Sequence, residues 1–566
     1  MNRSKAQESR AAIERIYIVM RHLFNRGHYK PLGVSGQELI DALLTLSPEI
    51  YGSMGDANKV ELDGMVYVVD RLPKGIEQCR FIRLISEEGY AYSDFEIIKP
   101  AKRRRNCYRI DKETMLIEVT RGRSEIYDVL THLTFMFIES RKIMKNAFPE
   151  KGKTLREWEK LKEIVEGEVA LNEENREKAF AYLSTVLGRT YDEVRAAYFR
   201  FEENRDQNKG LFEVVYRLGK LAYEEEKEEN PREISFSPAL KERIGHHIYG
   251  ERWASEIKRT LYQKGLFERP MHIISANMHS VYNSFYAYPI LKNLGMEMTI
   301  EEMTTSIKED DSLKYQSQIK SYARSSGYYE LLDSSGTNIP VQIIDTGQLD
   351  LDALSPQLGI DKKYMEKNKP VIIVMDYAFG EQAYETMDEL LRPYEVEGKE
   401  IPMPVESIAI MGKAGILQGG KGDVMIPTAH VFEGTADNYP IENDVCKKDF
   451  KKLGVNVCEG TMVTVLGTSL QNKDVLSFFK NSSWQAIGLE MEGAHYQKAI
   501  QSATKIRRSI KNDLTLRYAY YASDNPLETG STLASGSLGV AGVKPTYLIT
   551  VCFLNKILGN KHRGRD

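Results

Sequence analysis

The segment VIIVMDYAFG (371–380), followed by EQAYETMDELLRPY (381–394), sets the architecture. A short apolar run rich in β-branched residues ends in a glycine, and apolar positions then recur at helical spacing, which reads as strand, turn and helix. The same alternation extends over everything from Met271 onward. MHIISA, VQIIDT, VESIAIMGKAG, GDVMIPTAHVFEG, GTMVTVLGTS, AIGLEMEG and TLRYAYYASD are further strand-like runs, and GAHYQKAIQSATKIRRSI is another intervening helix. Such alternation predicts an α/β layer architecture with a parallel or mixed central sheet over residues 266–566. No internal repeat interrupts it.

Upstream the character differs. Residues 10–27 and 35–45 carry apolar residues at helical spacing, the second stretch opened by Ser35 with Glu38 three positions on. KVELDGMVYVVDRL (59–72) and CRFIRLI (79–85) read as short strands. From Glu125 to about Lys227 the chain is helical and highly charged, closing on the mostly acidic run Glu224–Glu229 and Pro231. The expected organisation is a mainly helical α+β module over 1–230, a bridging helix within 231–265, and the α/β domain over 266–566. His132 reads as the buried side of a helix, Lys102–Arg105 as a solvated basic loop, and His246-His247 as structural.

Composition narrows the classes. The chain has 566 residues, 42% hydrophobic and 28% charged, and its 77 basic and 81 acidic residues leave a formal charge of −4. That balance provides no field for holding nucleic acid or an anionic membrane. Five scattered cysteines without a C-x-x-C pair suit reduced thiols in a cytoplasm, not a disulfide framework or a cysteine zinc site. The N-terminal MNRSKAQESRAAIERIYIVMRH is charged throughout, so no signal peptide is expected, and no apolar stretch approaches membrane-spanning length.

Four segments at strand ends carry candidate chemistry, since ligands of open α/β sheets sit at the carboxyl ends of strands. Gly380, with Glu381 after it, ends the first quoted strand, where backbone amides can face an anion or a hydroxyl. Gly412-Lys413-Ala414-Gly415 reads as a glycine turn that lets a flat ring or a ribose approach the backbone; it is neither a P-loop nor a dinucleotide fingerprint. Glu490-Met491-Glu492 places two carboxylates where a strand enters a helix, able to accept from vicinal hydroxyls or simply to stabilise a helix N-terminus. Ser523-Asp524, after an apolar strand, supplies a carboxyl that burial would tune toward general-acid work, or an Asx-turn before Pro526.

In this order the segments resemble the nucleoside phosphorylase/nucleosidase superfamily, over about Met271–Leu558, and within it the AMP nucleosidase branch. The matching elements are GKAGIL (412–417), GDVMIP (422–427), the EGTADNY loop (433–439), GLEMEG (488–493) and SDNPL (523–527). The resemblance implies a three-layer domain with a central mixed sheet that cleaves the N-ribosidic bond of a purine nucleoside or AMP-like nucleotide. By that analogy Glu492 holds the ribose hydroxyls while Met491 packs under the sugar. Asp524 protonates the purine, and Phe432, Glu433 and Thr435 belong to a covering loop. Lys413 could meet a 5′-phosphate. No metal or organic cofactor is implied, and a homo-oligomer is the default.

The chain also departs from that pattern. Phosphorylases of the superfamily place phosphate-binding arginines where MHIISANMHS (271–280) and VIIVMDYAFGEQA (371–383) have none. That favours water over phosphate as nucleophile, with His279, Glu381 and Glu433 as candidates to activate it. A phosphorolytic transferase, with phosphate as substrate or effector, and a nucleotide-sensing protein without turnover are the rival readings.

Overall fold

The computed structural model describes residues 4–149, 153–295, 298–302, 313–451, 453–528 and 538–559. The chain divides into two units, Met1–His246 with Ser469–Val475, and His247–Thr468 with Leu476–Asp566.

In the first unit a five-stranded sheet is built from β1 (His28–Tyr29), β2 (Phe81–Ile85), β3 (Cys107–Arg109), β4 (Thr114–Glu118) and β5 (Glu233–Phe236), in the order β1-β5-β2-β4-β3. Helices supply most of the remainder. The first, Lys5–Arg26, opens on a Ser4/Gln7 capping box and stops at Gly27, whose φ of 92° suits glycine. Residues 62–69, expected as a strand, form a helix instead. The Glu61 carboxylate accepts from the Asp63 and Gly64 amides at 3.0 and 3.3 Å, and this local cap outweighs the β-branched composition.

The long helix Gly122–Ala147 is buried along most of its length. His132 is fully buried on it, as its sequence context predicts. The basic run is solvated only at Lys102 and Arg104. Arg103 grips Asp128 of this helix through Nε and Nη2 at 2.9 and 2.6 Å, and Arg105, 4% exposed, adds Nη2 at 2.5 Å. His132 Nε2 lies 3.2 Å from the same carboxylate, and its Nδ1 lies 3.0 Å from the Tyr51 hydroxyl. Burial opposes the Asp128 charge, but Arg103 and His132 hold its carboxyl well below the usual range. Arginine's planar fork makes such a buried junction geometrically specific.

The 238–266 stretch is two helices, Pro238–Gly245 and Ile248–Gln263, broken at His247, whose φ is +55°. The second unit begins at that break. Its mixed sheet comprises β6 (Met271–Ser275), β7 (Tyr328–Leu331), β8 (Val341–Asp345), β9 (Val371–Met375), β12 (Val405–Ile416), β13 (Val424–Phe432), β14 (Asn438–Pro440), β15 (Val457–Thr464), β16 (Gly488–Glu490) and β17 (Thr515–Asp524). β10 (Tyr394–Val396) and β11 (Lys399–Ile401) form a separate hairpin. β6, β9, β12 and β17 run parallel. Helices 248–263, 382–390 and 493–501 pack on one face, against Ile273, Ile373, Ile410, Tyr518 and Tyr520. Helices 280–293 and 543–558 cover the other, against Ile274, Ile372, Met411, Ala519 and Tyr521. These are the three layers expected.

One feature of the topology is not legible in the strand list. β12 pairs with β17, β17 with β13, β13 with β15, β15 with β16, and β16 with β12 again, so five strands close into a ring. Gly412–Ile416, expected as a turn, lies inside β12, because β17 and then β16 pair with it through Ile416.

Replacing Asp128 by alanine leaves Arg103 and Arg105 facing no shared carboxylate in a buried site. Loss of one partner of such a cluster costs about 3–5 kcal/mol, so denaturant unfolding of D128A is expected to shift to markedly lower midpoints, with a smaller shift for R103Q, whose side chain is the more exposed.

Candidate functional site

The parallel strands β13, β15 and β16 end side by side: Phe432 is in register with Thr464, and Thr464 with Glu490. Glu490, 4% exposed, accepts from the Thr464 hydroxyl at 2.5 Å on one oxygen, and from the Glu492 and Gly493 amides on the other, the first at 2.5 Å. Thr464 in turn accepts the Ala494 amide at 3.0 Å. Glu490 therefore satisfies the first turn of helix 493–501, whose amides lack intrahelical partners. Gly493 is required there, since a Cβ would collide with His430 Nε2 and sit 2.7 Å from the Tyr520 hydroxyl.

Glu492 turns the other way. Its Oε1 accepts the Gly380 amide at 2.9 Å, and Oε2 accepts from Met491 N at 3.3 Å. Gly380 sits beyond the carboxyl end of β9 with φ +56°, a conformation that favours glycine and aims its amide at the carboxylate. Tyr496, one turn along the helix, reaches Ser275 at the end of β6 with 3.0 Å between hydroxyls. Glu492 is thus held at the carboxyl ends of β6 and β9, where α/β sheets place ligands. Met491 is 8% exposed beside it.

Asp524, 5% exposed, closes β17. The Ser523 hydroxyl lies against its carboxylate and 3.1 Å from the Ala414 carbonyl. Loop 417–423 braces this end: the Gly422 amide donates to Ala522 O at 2.9 Å, Ala522 N to Asp423 O at 2.8 Å, and Asn525 Nδ2 to Gly419 O at 3.1 Å. The register joins the two acidic segments. Gly415 of β12 pairs with Leu489 on one side and with Asp524 on the other. With strands about 4.8 Å apart, those two backbones flank Gly415 at about 10 Å.

Phe432 contacts His495 edge-on, centroids 4.8 Å apart, and Tyr439 at 6.2 Å. Glu433 is 2% exposed, its amide on Thr464 O at 3.0 Å and its Oε2 near the Leu466 amide at 3.3 Å. Thr435 lies in the exposed loop that follows, 3.1 Å from Asp437. Beneath these groups lie His430, Tyr518 and Tyr520, which the sequence reading did not single out. His430 Nε2 is 3.0 Å from Tyr520 OH, and burial pushes the imidazole down to about 3, so it stays neutral. The repeated tyrosines of TLRYAYYA, spaced by two in a strand, were the available signal for this stack.

Lys413 and His279 fall elsewhere. They line a cavity of about 770 Å3 against the opposite face of β12 and β17, together with Asn277, Met278 and Tyr521. Glu490, Glu492, Asp524, Gly380, Phe432, Glu433 and Thr435 are not among its lining residues. Among the described residues no group of three or more His, Cys, Asp or Glu is arranged to hold a metal ion, and no helix is long and apolar enough to cross a membrane.

A family model described as a family of unknown function, DUF6909, matches residues 37–293 and 302–559. No curated protein matches the sequence. Among solved structures the chain is similar to 5′-methylthioadenosine/S-adenosyl homocysteine nucleosidase from Campylobacter jejuni, at 11% identity and TM-score 0.30 over 51% of this chain and 99% of that one. It is similar to a futalosine hydrolase mutant of Helicobacter pylori strain 26695, at 13% and 0.29 over 52% and 99%. It is also similar to purine nucleoside phosphorylase from Toxoplasma gondii in complex with immucillin-H, at 13% and 0.29 over 52% and 93%.

The Glu490 carboxyl is pushed up to about 8, first by burial and then by the neighbouring Glu492 charge, from an ordinary value of 4.5. The folded chain therefore keeps this proton through a window in which the unfolded chain has released it, and stability falls as pH rises from about 4.5 to 8. Glu490→Gln mimics the protonated acid and removes that slope. Melting temperatures measured between pH 5 and 8 should decline more steeply for the wild type than for E490Q.

Proposed function

The chain belongs to the family of unknown function DUF6909, and we propose that it cleaves the N-ribosidic bond of a purine nucleoside or AMP-like nucleotide. The observation that carries this reading is the convergence of the Glu490–Glu492 turn and Asp524 on the two sides of Gly415, in the ring of strands. A carboxylate placed at a sugar and a carboxyl placed at a leaving base are what an oxocarbenium-like transition state requires.

In this proposal Glu492, held by the Gly380 amide, accepts the ribose 2′- and 3′-hydroxyls, and Met491 packs beneath the ring. Asp524, its orientation fixed by Ser523, delivers a proton to N7 as the C1′–N9 bond breaks and its electron pair passes to the purine. Water bonds to C1′ and gives up its proton to a base, for which Glu381 and Glu433 are the candidates, His279 lining the separate cavity. Glu490 does not touch the sugar in this scheme; it holds the turn that presents Glu492. The lack of arginine in 271–280 and 371–383 supports water over phosphate as the nucleophile.

The test is release of free base from adenosine, inosine and AMP by the purified chain, with and without inorganic phosphate. Free ribose or ribose 5-phosphate is the expected sugar product in both cases, where phosphorolysis would give a sugar 1-phosphate. Glu492→Gln and Asp524→Asn should each lower kcat/KM by about 100-fold or more, the range for losing a positioned acid–base group. Turnover of every purine substrate at wild-type rates by both variants would exclude these roles.

A further inference from the structure

We propose that Asp376, rather than Glu381 or Glu433, takes the proton of the attacking water, and that its charge keeps an anionic nucleophile out of the site. The inference rests on the nucleoside-cleaving reading above.

Position is the first argument. Met375 ends β9 in register with Ser275, the last residue of β6, and Asp376 is the next residue of the chain. Tyr496, one turn beyond Glu492, meets Ser275 at 3.0 Å between hydroxyls, and the Ala378 amide faces the same phenol oxygen. Glu492 itself is fastened to Gly380, four residues after Asp376. Segment 376–380 and the first turn of helix 493–501 therefore share one corner. Electrostatics agree with this placement. Burial raises the Tyr496 phenol above its ordinary range, and the charges of Glu492 and Asp376 both add to the rise.

Stereochemistry is the second. In a β-nucleoside the base lies on one face of the ribose and the 2′- and 3′-hydroxyls on the other. A nucleophile entering opposite the departing base therefore arrives on the hydroxyl face, the one assigned to Glu492. Asp524 ends β17, and β12 and β6 lie between β17 and β9, so Asp376 stands on the side away from the acid. Glu433, by contrast, is 2% exposed at the end of β13, with Oε2 on the Leu466 amide.

Charge is the third. Among the described residues the Asp376 carboxylate accepts one hydrogen bond, from the Tyr377 amide to Oδ1 at 2.9 Å, and the residue is partly exposed, which leaves Oδ2 for a water. Residues 271–280 and 371–383 contain no lysine or arginine, so these two segments bring no cation to Asp376 and Glu492. Two carboxylates at one corner repel phosphate and tolerate neutral water. In the step itself the water oxygen bonds to C1′ and its proton passes to Asp376 Oδ2. The C1′–N9 electron pair leaves with the purine, which Asp524 protonates.

Azide separates the two roles, because it needs no base and carries a charge. Adenosine, inosine and AMP are incubated with the wild type, Asp376→Asn and Asp376→Ala, with and without sodium azide at constant ionic strength, and free base, free sugar and glycosyl azide are measured. Asparagine keeps an acceptor for the Tyr377 amide, and melting curves check that both variants fold. Without azide both should lose about 100-fold or more in kcat. With azide both should recover base release, and the azide share of the sugar product should rise by about tenfold or more over the wild type once the like charge is gone. That share is a ratio per turnover and does not depend on the fraction of chain folded. Wild-type hydrolysis in both variants, failure of azide to restore base release, or a raised azide share in Glu381→Gln or Glu433→Gln instead overturns the assignment while nucleoside cleavage stands. Absence of base release from all three substrates by the wild type overturns the nucleoside reading and this inference with it.

Discussion

Strand β12 is paired along its whole usable length, and the second unit is arranged around that fact. β6 takes its first half on one side, β16 takes its last two residues on that same side, and β17 runs parallel to it on the other from Ser407 to Gly415. A strand committed this way cannot slip by one residue without turning every side chain to the wrong face. The alternation is therefore fixed: Ile408, Ile410, Ala414 and Ile416 belong to one core, Ala409 and Met411 to the other. Lys413, in step with the second set, is delivered to the cavity wall. Gly412 is tied to the same register, since a Cβ there would meet the Tyr520 ring at 2.9 Å.

Two glutamates two residues apart in sequence meet very different environments because of this framework. Glu490 ends a buried strand, so its charge loses water and feels Glu492, and its proton is retained to about pH 8. Glu492 belongs to the turn itself and is only partly buried, with the Gly380 amide as its partner. The framework thus separates two neighbouring carboxyls, one that burial and the adjacent Glu492 charge keep protonated, the other bound to the Gly380 and Met491 amides. The buried tyrosines below contribute no charge, since burial raises both Tyr518 and Tyr520 well above the ordinary phenol range.

The parts of the molecule that the sequence foretold are those in which local pattern and tertiary environment agree. Val371–Met375 and Met271–Ser275 are buried on both faces, so their continuous apolar runs could only be central strands. The strand-to-helix step at Glu490–Gly493 was legible for a similar reason, because the two carboxylates interrupt the apolar pattern where the structure changes type. Where one local interaction or a distant partner decides, the pattern misleads. Residues 62–69 have strand composition, but Glu61 caps them as a helix. Gly412 and Gly415 look like a turn until β16 and β17 are known to pair across them. Arg103 and Arg105 read as solvated because their partner, Asp128, lies 25 and 23 residues further along the chain. Ring closure among five strands is equally invisible, being a matter of which edges meet.

The ring also explains how segments so far apart in sequence come to flank one residue. An open sheet offers its strand ends along a line, and residues four strands apart would be separated by about 19 Å at 4.8 Å per strand. Along the open path β17 and β16 lie on separate branches of the sheet, but both pair with β12, so one intervening strand separates Asp524 from the Glu490–Glu492 turn. Gly415 is the residue between them. The cavity on the other face of the same two strands is reached within three residues of that point.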